Sequence, residues 1–152
     1  MLSLMAGLLN TYRAAWREAG HPGQGQIMLS FSMHVNEDGD AARAAFGPNL
    51  DSYLDALVDG ASGWLDGAST KDYPGYDRII AELKEDSFEN QVARGIAWIG
   101  TPDEVGDMMT DYLDGLGEIA TASLHILPHR TDYDAAEASM RLFAEKVMPR
   151  FR

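Results

Sequence analysis

The clearest pattern in the chain is a strict alternation over residues 27–35. Ile27, Leu29, Phe31, Met33 and Val35 fall on one side, and Met28, Ser30, Ser32 and His34 on the other. Period two predicts a β-strand with two chemically different faces. The second face is small and polar rather than charged. A strand face turned to bulk water usually carries Lys, Glu or Thr, so serines ending in a histidine point to a lightly hydrated, enclosed cavity.

Elsewhere the apolar spacing is helical. Leu8, Leu9, Tyr12, Ala15, Trp16 and Ala19 line one face, and Gly20 followed by His21-Pro22-Gly23 stops that helix. After a turn rich in N-cap residues at 36–40, a helix is predicted from Ala41, kinked or restarted at Gly47-Pro48, with Leu50, Tyr53, Leu54, Leu57, Val58 and Ala61 as its apolar stripe. Residues 60–76, punctuated by glycine and proline, read as a long loop with a short turn near Trp64. Two short helices follow, near 76–84 and 88–94, the second capped by Ser87; together 60–95 form a loop and helical insertion. Ala97-Trp98-Ile99 is a short buried strand. Thr101, Pro102 and Glu104 then spell an N-cap, an N1 proline and an N3 acid, a capping box that opens a helix ending at Gly117. A third strand is predicted over 121–127, stopped by Pro128, and a last helix over 133–147, closed by Pro149.

Strands separated by helices of this length must run parallel. The fold class is therefore α/β, in a single domain spanning 1–152. Three parallel strands leave two open edges and fall far short of the eight strands, in roughly 250 residues, of a (β/α)8 TIM barrel. The expectation is a partial barrel of about three βα units, completed by another chain or belonging to a longer barrel.

Composition narrows the function. Twelve Lys and Arg against 24 Asp and Glu give a net charge of −12, which excludes a basic footprint for nucleic acid or an anionic membrane. The excess is local: residues 37–118 hold 19 acidic and 5 basic side chains, whereas the two ends together hold 5 and 7. Solvated helix faces account for that asymmetry. With no Cys there is no disulfide, thiolate nucleophile or cysteine metal site, and four scattered His make a zinc site improbable. No apolar stretch reaches the ~18 residues of a membrane span, and residues 1–9 lack the basic start and cleavage pattern of a signal peptide, so a cytoplasmic location is expected.

Function in parallel α/β sheets gathers at the C-terminal ends of strands. His34 and His125 fall there, His125 sharing a predicted face with Thr121, Ser123 and Leu127. Each is read either as a cavity-lining hydrogen-bonding or proton-shuttling group or as a polar residue bonded to a backbone carbonyl. His21 reads as structural, and Asp132, Asp134 and Glu137 as N-cap chemistry. Met108 and Met109 read as core filler. No dinucleotide, phosphate-loop, serine-elbow or zincin motif is present.

Four segments carry a resemblance. Tyr12-Arg13-Ala14-Ala15-Trp16-Arg17-Glu18-Ala19-Gly20-His21-Pro22-Gly23 resembles the helix-turn before the sixth strand of luciferase-like flavin-dependent monooxygenases. Lys71-Asp72-Tyr73-Pro74-Gly75-Tyr76 is similar to an insertion in one branch of that family. Trp98-Ile99-Gly100-Thr101-Pro102-Asp103-Glu104-Val105 is similar to its strand-to-helix step, and residues 139–149 to its last helix. The resemblance implies the C-terminal part only of a (β/α)8 barrel, its last three βα units. It implies reduced FMN from a separate NAD(P)H-dependent flavin reductase, O2, and oxygenation of a small organic substrate. The cofactor or substrate cavity candidates it leaves are Ser30, Ser32, His34, Trp98 and His125, with Tyr73 and Tyr76 on a closing loop. The flavin activates oxygen in this chemistry, so no protein nucleophile is expected and the catalytic residues stay unknown. A homo-oligomer or a complementing chain is expected, and alone the chain is expected to bind FMN weakly or not at all, its activity by itself left open. The alternative is a non-catalytic interaction or oligomerisation protein derived from a barrel fragment.

Overall fold

The computed structural model of the chain describes residues 2–64, 74–126 and 130–151. Helix α1 (Leu2–Glu18) leads to strand β1 (Met28–Val35), the long helix α2 (Gly39–Ala61) and a 3₁₀ turn (Ser62–Trp64). Helices α3 (Tyr76–Lys84) and α4 (Phe88–Ala93) precede strand β2 (Ala97–Gly100). Helix α5 (Pro102–Leu116), strand β3 (Thr121–His125) and helix α6 (Tyr133–Leu142) follow. A π-helical turn (Phe143–Val147) and a 3₁₀ turn (Met148–Phe151) continue α6.

The local chemistry read from the sequence sets several boundaries. Gly20, at φ +79°, ends α1, with the His21 N–H donating to the Trp16 carbonyl and the Gly20 N–H to that of Arg17, the paired bonds of a Schellman end. At α5 both halves of the capping box form: the Thr101 N–H donates to Glu104 Oε2 at 2.7 Å, and the Glu104 N–H to the Thr101 hydroxyl at 3.3 Å. Ser87 caps α4 and Asp38 caps α2 through their side-chain oxygens. Other boundaries differ, beginning with α1, which starts at Leu2, ahead of the Leu8 that opens its apolar stripe. Helix α2 runs unbroken through Pro48 instead of restarting, because Phe46, Gly47 and Leu50 are all buried and pin both sides of the proline to the core. The last helix stops at Leu142 and turns π-helical, which brings Phe143 and Val147 inward together. Part of the expected 121–127 strand, including Leu127 with Pro128 and His129, lies outside the described residues.

All three strands are parallel, in the order β2-β1-β3. A small parallel sheet with flanking helices agrees with a partial (β/α) barrel in kind. Barrel units in succession stand in chain order, however, and here the first strand is central. Right-handed crossovers then explain the layers. The chain moves from β1 to one side and returns across β1 to the other, so its connecting helices must cover opposite faces. Phe31, Met33, Val35 and Trp98 pack against Val105, Met109 and Tyr112 of α5, with Leu9 of α1 and Phe143 and Val147. On the other face Ala97 and Ile99 pack against Ala42, Phe46, Leu50 and Leu54 of α2 and Phe88 of α4. No helix among the described residues is long and apolar enough to cross a membrane.

Candidate functional site

The polar face of β1 defines the site. Parallel register sets Ser30 beside Ser123 and Ser32 beside His125 on one side, and Ser32 beside Ala97 and His34 beside Ile99 on the other. These side chains share one face because register partners in a parallel pair point the same way. Cover differs along it. Ser30 and Ser123 are exposed and His125 is half-buried, whereas Ser32 and His34 are buried. Helix α2 makes the difference, since it crosses only the C-terminal half of the face. Its Phe46 ring lies 5.5 Å from the His34 imidazole, and its Tyr53 ring meets His125 edge-on at 5.1 Å.

His34 is the unusual member. It is 2% exposed, and its Nδ1 has no hydrogen-bond partner. Loss of hydration pushes its pKa below the ordinary histidine value, so the neutral ring is favoured. Trp98 stands apart from this group. It lies on the opposite face, stacked on Phe31 with ring centroids 3.8 Å apart, and its indole N–H donates to the Gly95 carbonyl. Of the loop tyrosines, Tyr73 lies outside the described residues and Tyr76 is the first residue of α3. The structure thus brings Ser30, Ser32, His34 and His125 to one face and leaves Trp98 on the other.

Three further residues shape the site. Tyr53 and Phe46 of α2 are its aromatic cover; Tyr53 already stood in the apolar stripe of the predicted helix, which is the signal that it meets the sheet. Ser139 of α6, 1% exposed, accepts the Val35 N–H at 2.8 Å and so finishes the central strand from the other face. No sequence spacing announces that bond. Among the described residues no group of three or more His, Asp or Glu comes together to hold a metal.

A cleft of about 570 Å³ opens elsewhere, where β3 begins, lined by Trp98, Met109, Thr121, Ala122 and Phe151 among others. It lies at the opposite end of the sheet from the strand ends that usually bear function.

A family model for luciferase-like monooxygenases matches residues 2–118. The chain belongs to the luciferase-like monooxygenase family. The monooxygenase RslO1 from Streptomyces bottropensis is 25% identical, with a TM-score of 0.68 over 99% of this chain and 39% of that one. The oxygenating constituent of 3,6-diketocamphane monooxygenase from the CAM plasmid of Pseudomonas putida, a type II Baeyer–Villiger monooxygenase solved with FMN, superposes with a TM-score of 0.67. It is 19% identical over 99% of this chain and 41% of its own. No curated protein matches. The chain thus spans about two fifths of the length of these luciferase-like structures.

These matches correct one expectation. The resemblance pointed to the C-terminal part of the barrel only, but the luciferase-like match begins at residue 2 and the structural likeness takes in the whole chain. That expectation rested on short segments whose turn and capping chemistry is local. Such segments mark the ends of elements and carry no information on where in a barrel those elements stand.

Proposed function

We propose that this chain forms one wall of the cavity of an FMN-dependent luciferase-like monooxygenase acting on a small organic substrate. The observation that carries the reading is the uncharged strip of Ser30, Ser123, Ser32 and His125, hydrogen-bonding in character and open over its N-terminal half, on a sheet whose other face is fully apolar. Such a strip fits the edge of a planar heteroaromatic ring, which needs donors and acceptors without net charge. No Lys or Arg stands in it, so a phosphate would find no cation there.

Bound reduced FMN supplies the electrons that activate O2 in this chemistry. The task of the chain is to orient and to exclude water. Ser30 and Ser123 offer hydroxyls at adjacent register positions. His125, held edge-on by Tyr53, offers a ring nitrogen, and Phe46 keeps water from His34. A separate flavin reductase supplies the reduced flavin in the cytoplasm, and further sheet comes from a second chain.

Titration of FMN into the chain, followed by flavin fluorescence, tests the reading. Binding is expected to be weak and to vanish in a Ser123→Leu/His125→Leu variant. Tight stoichiometric binding by the chain alone would contradict a one-wall role, and binding indifferent to the double substitution would place the flavin elsewhere.

A further inference from the structure

The two edges of the sheet are finished differently. Strand β2 is four residues long and wholly buried. Its Gly100 carbonyl, and that of Ile96 just before it, accept from Asn36 and Ser32 of the central strand's run, so by alternation the Ile99 carbonyl faces outward. Arg43 of α2 covers that carbonyl, its Nη1 donating at 3.2 Å while its Nη2 pairs with Glu104 at 2.9 Å. The chain has closed this edge itself.

Strand β3 shows the reverse. The Thr121 N–H donates to the Ile27 carbonyl, so Thr121, Ser123 and His125 turn their backbone groups toward β1, and Ala122 and Leu124 turn theirs outward. Thr121, Ala122 and Ser123 are exposed. The described run 121–126 has no Lys, Glu, Asp or Pro, the residues that normally guard an open edge. In a chain of net charge −12 this is an uncharged strip whose outward backbone donors and acceptors pair with no further strand among the described residues.

We propose that β3 pairs with β3 of a second copy of this chain, antiparallel about a two-fold axis, giving a continuous six-stranded sheet in the order β2-β1-β3-β3-β1-β2. A second copy is the occupant because the edge meets its own image without like charges, although the chain as a whole carries a net charge of −12. Its β2 edge is buried, with the Ile99 carbonyl taken by Arg43, so among the described residues β3 is the edge that remains to be offered, and the pairing ends at a dimer instead of running on as a filament. The inference deepens the expectation of an oligomer in the proposed function. It is read by mass rather than by flavin, so either can fail alone.

Sedimentation velocity of the wild-type chain across micromolar to hundred-micromolar concentrations tests it. A reversible monomer–dimer equilibrium is expected. Ala122→Pro removes an outward N–H twice per dimer and no bond to β1, and should weaken dimerisation by about tenfold to a hundredfold. Ser123→Glu, which sets carboxylates near each other across the axis, should weaken it as well, with an unchanged far-UV spectrum confirming the fold. A wild-type chain that stays monomeric at every concentration, or a dimer indifferent to both substitutions, overturns the proposal.

Discussion

The two faces of the central strand are built on opposite terms. One is a dry wall of large rings: Phe31 and Trp98 stack, and Tyr112 meets each of them edge-on. The other begins with an exposed Met28, carries Ser30, Ser32 and His34 after it, and is covered only where α2 crosses it. The comparison teaches that the first face holds the fold and the second is held by it. Ring stacking and buried apolar area supply stability on the first face. On the second, burial of His34 costs stability, because an imidazole atom loses water and gains no partner.

The sharpest way to break that contrast is Trp98→Ala. Trp98 is 0% exposed and touches both Phe31 and Tyr112. Its removal should cost about 3–5 kcal/mol, a large part of the roughly 5–15 kcal/mol that holds a typical domain together. Urea unfolding would show the midpoint falling steeply or the transition disappearing. A loss under 1 kcal/mol would mean that Trp98 packs against no fixed wall, and the division of labour between the faces would fall with it.

The polar face should respond to pH where the aromatic face does not. Burial lowers the pKa of His34 in the folded state below the unfolded value of 6.5. The unfolded chain then binds more protons, so stability is full above pH 6.5 and is lost as pH falls from there toward the lowered folded pKa. The slope from one such group is at most about 1.4 kcal/mol per pH unit. His34→Gln, which cannot take up that proton, should flatten the difference in unfolding free energy between pH 6.5 and 5. A variant that follows the wild-type pH profile would show that protonated His34 finds a partner in the fold.

How much of this was legible in the sequence follows from what each signal encodes. Alternation encodes faces, so the split between Phe31 and Ser32 could be read directly, and the Thr101–Glu104 capping box specified its own two bonds. Neighbours are another matter. Period two says which way a side chain points and nothing about which strand lies alongside. The central place of β1 and the covering of both faces therefore came only from the structure. The same gap misplaced Trp98. Grouped with the serines by its nearness to the Gly100-Thr101 turn, it stands on the opposite face, because register with Met33 assigns it there. The cover over His34 was hidden for a related reason: Phe46 precedes Gly47-Pro48, where the spacing predicted a break, and an unbroken α2 is what carries its ring across the sheet.

The smallest expected effect is also the most exacting for the comparison. Ser30 and Ser123 sit side by side on the polar face, beyond the reach of α2, and both are exposed. If that end of the face is a surface and not part of the core, Ser30→Ala should change stability by less than about 0.5 kcal/mol, the range of surface substitutions away from caps and networks. The hydroxyl in the folded chain is hydrated much as it is in the unfolded one, so its removal shifts both states together. Thermal unfolding of the variant should then overlay that of the wild type at low protein concentration. A destabilisation of 1 kcal/mol or more would mean that the hydroxyl has a fixed partner in the folded chain. The open half of the polar face would then belong to the folded core no less than the half beneath Phe46.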